Sequence, residues 1–238
     1  MKNRIVKVIC LAAILLGTSS MAQAQFRQSI FLNGVLPTGS FTDKIPGNTP
    51  VPLGTVNIAK HATAGFGLGY RVSYRFDVGM GEVAPFANAD FFWNFMGGDM
   101  DGKYTQAKAN TPNYFNVPVM LGVSYLYDEL WNDITLYGEF GIGTDIMFIG
   151  REKSDNFLHT YAYKPSLTRG LAWMVGFGAY FGRHVSAGLY YYNLGKHTIE
   201  YTNRTYNSFS APERVWYDAQ PVETRYVGEL ALRIGFHF

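Results

Sequence analysis

The chain has 238 residues, 47% of them hydrophobic and 16% aromatic, with 26 glycines, one cysteine and a formal charge of +2. Near-balanced charge excludes the basic footprint of a nucleic-acid partner, and a single cysteine excludes both a disulfide framework and a thiolate metal centre. Abundant glycine and aromatics favour strands, whose pleated faces suit Tyr, Phe and Trp, over helices, which glycine destabilises.

The first predicted element is a removable secretory signal. Lys2, Arg4 and Lys7 form a basic opening, Val8 to Leu16 is an unbroken apolar run, and Ala22-Gln23-Ala24 supplies a small-x-small cleavage pattern before Gln25. The apolar run covers only about half of the roughly 20 residues a spanning helix needs, which argues against a membrane anchor. The division is therefore a signal peptide, 1–24, and one domain, 25–238. Cys10 leaves with the signal, as do three cations, so the remaining chain carries no thiol and a net charge of −1.

After the signal, apolar content is spread by alternation rather than gathered in runs. Phe26 to Leu36 opens the domain. From Thr63 to Asp77, Ala64, Phe66, Leu68, Tyr70, Val72, Tyr74 and Phe76 alternate with Gly65, Gly67, Gly69, Arg71, Ser73 and Arg75. Val83 to Phe95 and Tyr114 to Tyr127 repeat the rule, and Ile134 to Phe148, Gly170 to Phe181 and Val185 to His197 follow it more loosely. The last stretch, Tyr226 to Phe238, turns Tyr226, Leu230, Leu232, Ile234, Phe236 and Phe238 one way and Arg225, Glu229, Arg233 and His237 the other. Eight strands with one greasy and one polar face predict an all-β fold: an eight-stranded antiparallel up-and-down transmembrane β-barrel, polar face inward. A soluble periplasmic β-sandwich is the rival fold, but its polar faces would have little need of three glycines in register.

The connections alternate in length. Val78–Glu82, Asp128–Asp133 and Gly182–His184 are short; Pro37–Ala62, Met96–Asn113, Ile149–Arg169 and Thr198–Glu223 are long and polar. Such asymmetry is that of outer-membrane barrels, with short turns and both strand termini on the periplasmic side. Lipid-facing aromatics should then form two girdles. Phe26, Tyr74, Phe76, Tyr125, Tyr127, Phe181, Phe236 and Phe238 fall at the periplasmic level, and Trp93, Phe95, Phe115, Phe148, Trp173 and Tyr226 at the outer one.

Read inward, Arg71, Arg75, Arg225 and Arg233 face Asp90, Glu139, Asp145 and Glu229. An eight-stranded barrel is only wide enough for side chains to fill, so these charges must pair. The predicted topology sets Asp145 and Arg225 on an upper level, and Asp90, Glu139, Glu229 and Arg71 in the middle. This network is either a structural plug or a charged gate or binding site for a small ion. Gly65, Gly67, Gly69, Gly141 and Gly143 also point inward, opposite the bulky Phe86, Phe92, Tyr137, Tyr180, Tyr190 and Tyr192. Small and large positions interlock, or the glycines line a vestibule for an apolar ligand.

No glycine-rich phosphate loop, His-Glu-x-x-His run or Gly-x-Ser-x-Gly elbow is present, and no cofactor or metal is expected. His61, His159 and His197 lie in or beside the long outer loops, His184 in a short turn, and His237 inward near the periplasmic end.

Leu36-Pro37-Thr38-Gly39-Ser40-Phe41, Phe115-Asn116-Val117-Pro118-Val119-Met120-Leu121 and the aromatic terminus resemble the porin-like, PorT-type outer-membrane β-barrel family. The resemblance covers the whole domain and implies a barrel, with no assigned activity. Phe236 and Phe238 resemble the terminal signal read by barrel-assembly machinery, although Arg233 stands where a glycine is expected and Gly235 is displaced by two. The expected protein is therefore non-enzymatic and integral to the outer membrane. Its partners are outer-membrane lipid, the assembly machinery, and an extracellular ligand or surface partner reached through the loops. A porin-like channel or carrier for small or apolar solutes is the alternative, and a lipid-modifying enzyme the third reading.

Overall fold

The computed structural model describes residues 26–42, 61–97, 113–131, 133–150, 159–207 and 220–238, with the short segments Thr49–Val51, Gly54–Val56, Lys108–Ala109, Glu152–Asp155 and Val215–Trp216. The signal-peptide reading of 1–24 lies outside the described residues. Eight long strands build the wall: β1 (Phe26–Thr38), β2 (His61–Tyr74), β3 (Glu82–Gly97), β4 (Tyr114–Trp131), β5 (Ile134–Ile149), β6 (Thr168–Phe181), β7 (Val185–Asn207) and β8 (Gln220–His237). Each pairs antiparallel with the next. β8 returns to β1 from Ser29↔His237 to Thr38↔Gly228, so the sheet closes as a barrel.

The alternation sets which face is which. Leu171 is 82% and Leu232 61% exposed, whereas Arg233 and Glu229 are fully buried. Apolar side chains outside and ionisable ones inside are the inverse of a water-soluble protein, and they place the wall in lipid. Phe76, Tyr125, Phe181, Phe236 and Phe238 are exposed at the short-turn end. At the other end Phe66, Trp93, Phe115 and Phe148 form a row with ring centroids 5.2, 5.5 and 4.8 Å apart. These are the two aromatic girdles of an outer-membrane barrel.

The short turns are tighter than alternation alone suggests. β4 continues through Trp131, which pairs with Ile134, so strand pairing runs past Asp128, the expected start of the turn. Gly79 (φ +89°) and Gly182 (φ +64°) supply the left-handed backbone in the two other turns.

At the opposite end, stretches expected to be loop are partly strand. β7 runs on to Asn207, where it pairs with His159–Pro165, and β8 begins at Gln220. The wall therefore rises past the outer girdle on this side. Polar residues there satisfy the period of a strand outside lipid without any apolar face, so hydrophobic alternation could not reveal them.

Inside, glycines face bulk. A Cβ on Gly176 would overlap the Tyr190 ring, one on Gly178 or Gly188 would press on the Tyr137 hydroxyl, and one on Gly67 would stand 2.6 Å from Phe92. Gly69 lies under the Asp90 carboxylate. Of the glycines expected to interlock with bulk or to line a vestibule, Gly67, Gly69 and Gly141 are met by the side chains of Phe92, Asp90 and Met174.

Gly34, by contrast, faces lipid with nothing within 4 Å of its missing Cβ. Gly176→Ala should therefore lower the unfolding midpoint by the equivalent of about 1–3 kcal/mol, the usual cost of overpacking. Gly34→Ala should stay within about 0.5 kcal/mol of the parent, as at a surface site. Urea titration read by folded and unfolded gel migration measures both.

Candidate functional site

The lumen is a stack of side-chain storeys. At the short-turn end, the His237 ring on β8 is held between two hydroxyls, Ser29 Oγ at 2.7 Å from Nδ1 and Ser186 Oγ at 2.8 Å from Nε2, with Tyr180 at 4.7 Å. Arg75 donates to Glu82 at 2.8 Å on the rim. Alternation sets Glu82 in a turn and not among the lumen charges, yet the hairpin that joins β2 to β3 brings the two together. His184 sits at this end beside the backbone of His237.

Above them, Arg71 on β2 reaches across the barrel to Glu139 on β5. The contact is bidentate, at 2.6 and 2.7 Å, and Ser124 donates to the same carboxylate at 2.8 Å. The Arg71 guanidinium lies 4.0 Å from the Phe86 ring centre and 5.0 Å from that of Phe31.

On the next storey Arg233 donates to Asp90 at 2.6 Å and to Asn33 at 2.8 Å, and also to the Tyr192 hydroxyl. Tyr192 and Asn88 in turn donate to Asp90. Arg233 lies 4.4 Å over both Phe31 and Tyr190. Phe31 therefore separates two guanidinium groups while giving each a ring face, and each cation keeps its own carboxylate.

The upper storey differs from the expectation in the place of Glu229. Glu229 is not level with Arg71; it accepts from Asn94 at 3.3 Å, and Asn94 also donates to the Thr63 carbonyl. Asp145 lies 3.2 Å from His197, on the same level as Arg225. Arg225 stands beside His197 across the β7–β8 ladder, with its guanidinium 6.0 Å from the Tyr114 ring. His197 also makes 2.7 Å contact with Thr168 Oγ1 and 3.0 Å contact with the Leu194 carbonyl.

His197 is inside the wall, not in a loop, because β7 carries a bulge between Asn193 and Gly195. Before it, even-numbered residues face inward; after it, odd-numbered ones do. Gly195 adopts φ +90° and donates its amide to the Asn193 side chain at 3.0 Å. An Asn-x-Gly inside a strand is the signal the sequence offers for it. His61 opens β2, and the side chain of His159 lies outside the described residues.

Near the outer mouth a residue whose direction the sequence does not indicate enters the barrel. After β1 the chain makes a 3-10 turn over Gly39–Thr42 that carries Phe41 inward, where it is fully buried with its ring 4.9 Å from that of Tyr114. Ser40 pins the turn to β8, accepting from Tyr226 N at 2.8 Å.

Chemically, the site offers closed ion pairs and a buried hydroxyl–imidazole–carboxylate contact. Among the described residues no three His, Cys, Asp or Glu side chains gather to hold a metal.

A closed barrel with an oily flank, two aromatic girdles and a packed polar lumen is an integral outer-membrane β-barrel protein. No family model matches the chain, and no curated protein matches its sequence. Among solved structures it is similar to Neisserial surface protein A, with 12% identity, TM-score 0.48, and 89% of this chain and 95% of that one covered. It is also similar to the outer membrane protein OprG from Pseudomonas aeruginosa, at 17%, 0.44, 90% and 95%. A major outer membrane protein from Thermus thermophilus gives 12%, 0.48, 90% and 99%. The membrane assignment rests on the closed ladder and the inverted faces, independently of these likenesses.

Removing one partner of a buried pair strands the other in the lumen. Glu139→Leu and Arg71→Met should each cost about 3–5 kcal/mol, and the double variant less than either single. A double-mutant cycle on unfolding free energy reads this, and additive losses would count against a mutually dependent pair.

Proposed function

We propose that this protein is a non-conducting, non-enzymatic outer-membrane barrel. Its lumen acts as a solid strut, and it works through its wall and its outer strand extensions in a structural or surface-interaction role. The observation that carries this reading is the superposition of three closures: Arg71–Glu139, Arg233–Asp90 and the Phe41 lid. Each ion pair crosses an interior with room for little else, and the lid is apolar.

The finer affiliation we infer is with the porin-like, PorT-type barrels. Leu36-Pro37-Thr38-Gly39-Ser40-Phe41, the stretch that carries part of that resemblance, has a definite job here, since it ends β1 and delivers the lid. Thr168, His197 and Asp145 tie the upper lumen together under this lid, and in this reading they perform no chemistry.

Planar-bilayer recording tests the proposal. The parent protein should be silent, and Phe41→Ala should remain silent although less stable, because both ion-pair storeys persist beneath the lid. Steady open-channel steps from the parent would overturn the proposal in favour of a porin-like channel. A chemical change in added lipid that is lost in His197→Gln would overturn it in favour of an enzyme.

A further inference from the structure

The bulge in β7 has a second effect on the outside of the barrel. By reversing the inward and outward faces beyond Asn193, it sends Lys196 to the lipid side as it sends His197 to the lumen. On the adjoining strand Arg169 also faces outward, in register with Ile146 of β5. Gly195 abuts the backbone of Leu171, so Arg169 and Lys196 flank that contact from neighbouring strands.

Away from the short-turn end, these two are the charged residues among the described outward-facing side chains. Neither makes an ion pair with a described residue. The Lys196 ammonium lies 6.0 Å from the Tyr226 ring centre, at the level of the outer girdle. Hydroxyls share the patch: Thr144, bonded to the Gly170 carbonyl, and the outward pair Thr198 and Thr224, 3.2 Å apart. Immediately below run Leu171, Trp173, Val175 and Phe177, all exposed.

A cation on the lipid face is costly at the midplane and nearly free at the interface, where it can meet a headgroup. Two cations with hydroxyls beside them, set above an apolar track, match an anionic headgroup above its acyl chain. We propose that Arg169 and Lys196 bind the phosphate of an anionic lipid in the outer leaflet, whose acyl chain lies along Leu171, Val175 and Phe177.

The test uses the purified full-length protein in nanodiscs of equal parts phosphatidylglycerol and phosphatidylcholine, with retained lipid read by native mass spectrometry. The parent should retain phosphatidylglycerol selectively. Arg169→Gln with Lys196→Gln should weaken that selectivity about 25-fold, from roughly fivefold per cation near an anionic surface. Arg169→Lys with Lys196→Arg should preserve most of it. Arg27→Gln with Arg183→Gln, at the opposite rim, should leave it intact. Unchanged selectivity in the first double variant overturns the site. An equal loss in the opposite-rim variant also overturns it, by making total charge the cause. Gel migration before and after boiling verifies that each variant is folded.

Discussion

Closure of the backbone ladder between β1 and β8 is the constraint on which everything else in this molecule depends. In lipid, an unpaired N–H or C=O has no water to turn to, so a sheet can cross only if its first and last strands find each other. The ten-residue register from Ser29↔His237 to Thr38↔Gly228 does this, and at the rim Gln28 and Phe238 exchange both backbone hydrogen bonds at 3.0 Å. Once closed, the part of the wall between the girdles has no edge among the described residues for another chain to extend.

Closure at eight strands also sets the interior. The cross-section is small, every second residue points into it, and the glycines on one strand are matched by rings from another. Charges placed there have left water, and each stays ionised only with a partner at hydrogen-bond distance. Arg71 and Arg233 satisfy this with one carboxylate each and with the shared face of Phe31 between them. Such pairs contribute less to net stability than their short distances suggest, because desolvation offsets much of the attraction. What they supply is specificity, since a shifted register would leave both charges stranded.

Much of this is legible in the sequence because a strand's period is two and lipid and lumen have opposite chemistry. The eight strands, the unequal connections, the girdles and the inward direction of Arg71, Asp90, Glu139 and Arg233 all follow from that period. The bulge at Asn193–Gly195 breaks it, and so alternation leaves His197 at the edge of a loop when it belongs to the lumen. Glu229 falls on the wrong storey, since levels between distant strands depend on barrel stagger, which no single strand carries. Phe41 lies in a segment without alternation and gives no sign of direction.

The amino-acid order alone determined the barrel, its polarity and the identity of the charges within, because each depends on local alternation of side chains across a pleat. Only the tertiary structure decided which charge meets which, that Phe41 turns inward against Tyr114, and that Arg169 and Lys196 share a patch on the outer wall. Those outcomes depend on the stagger and bulges of a closed ladder, which fix how residues far apart in the chain come to the same height.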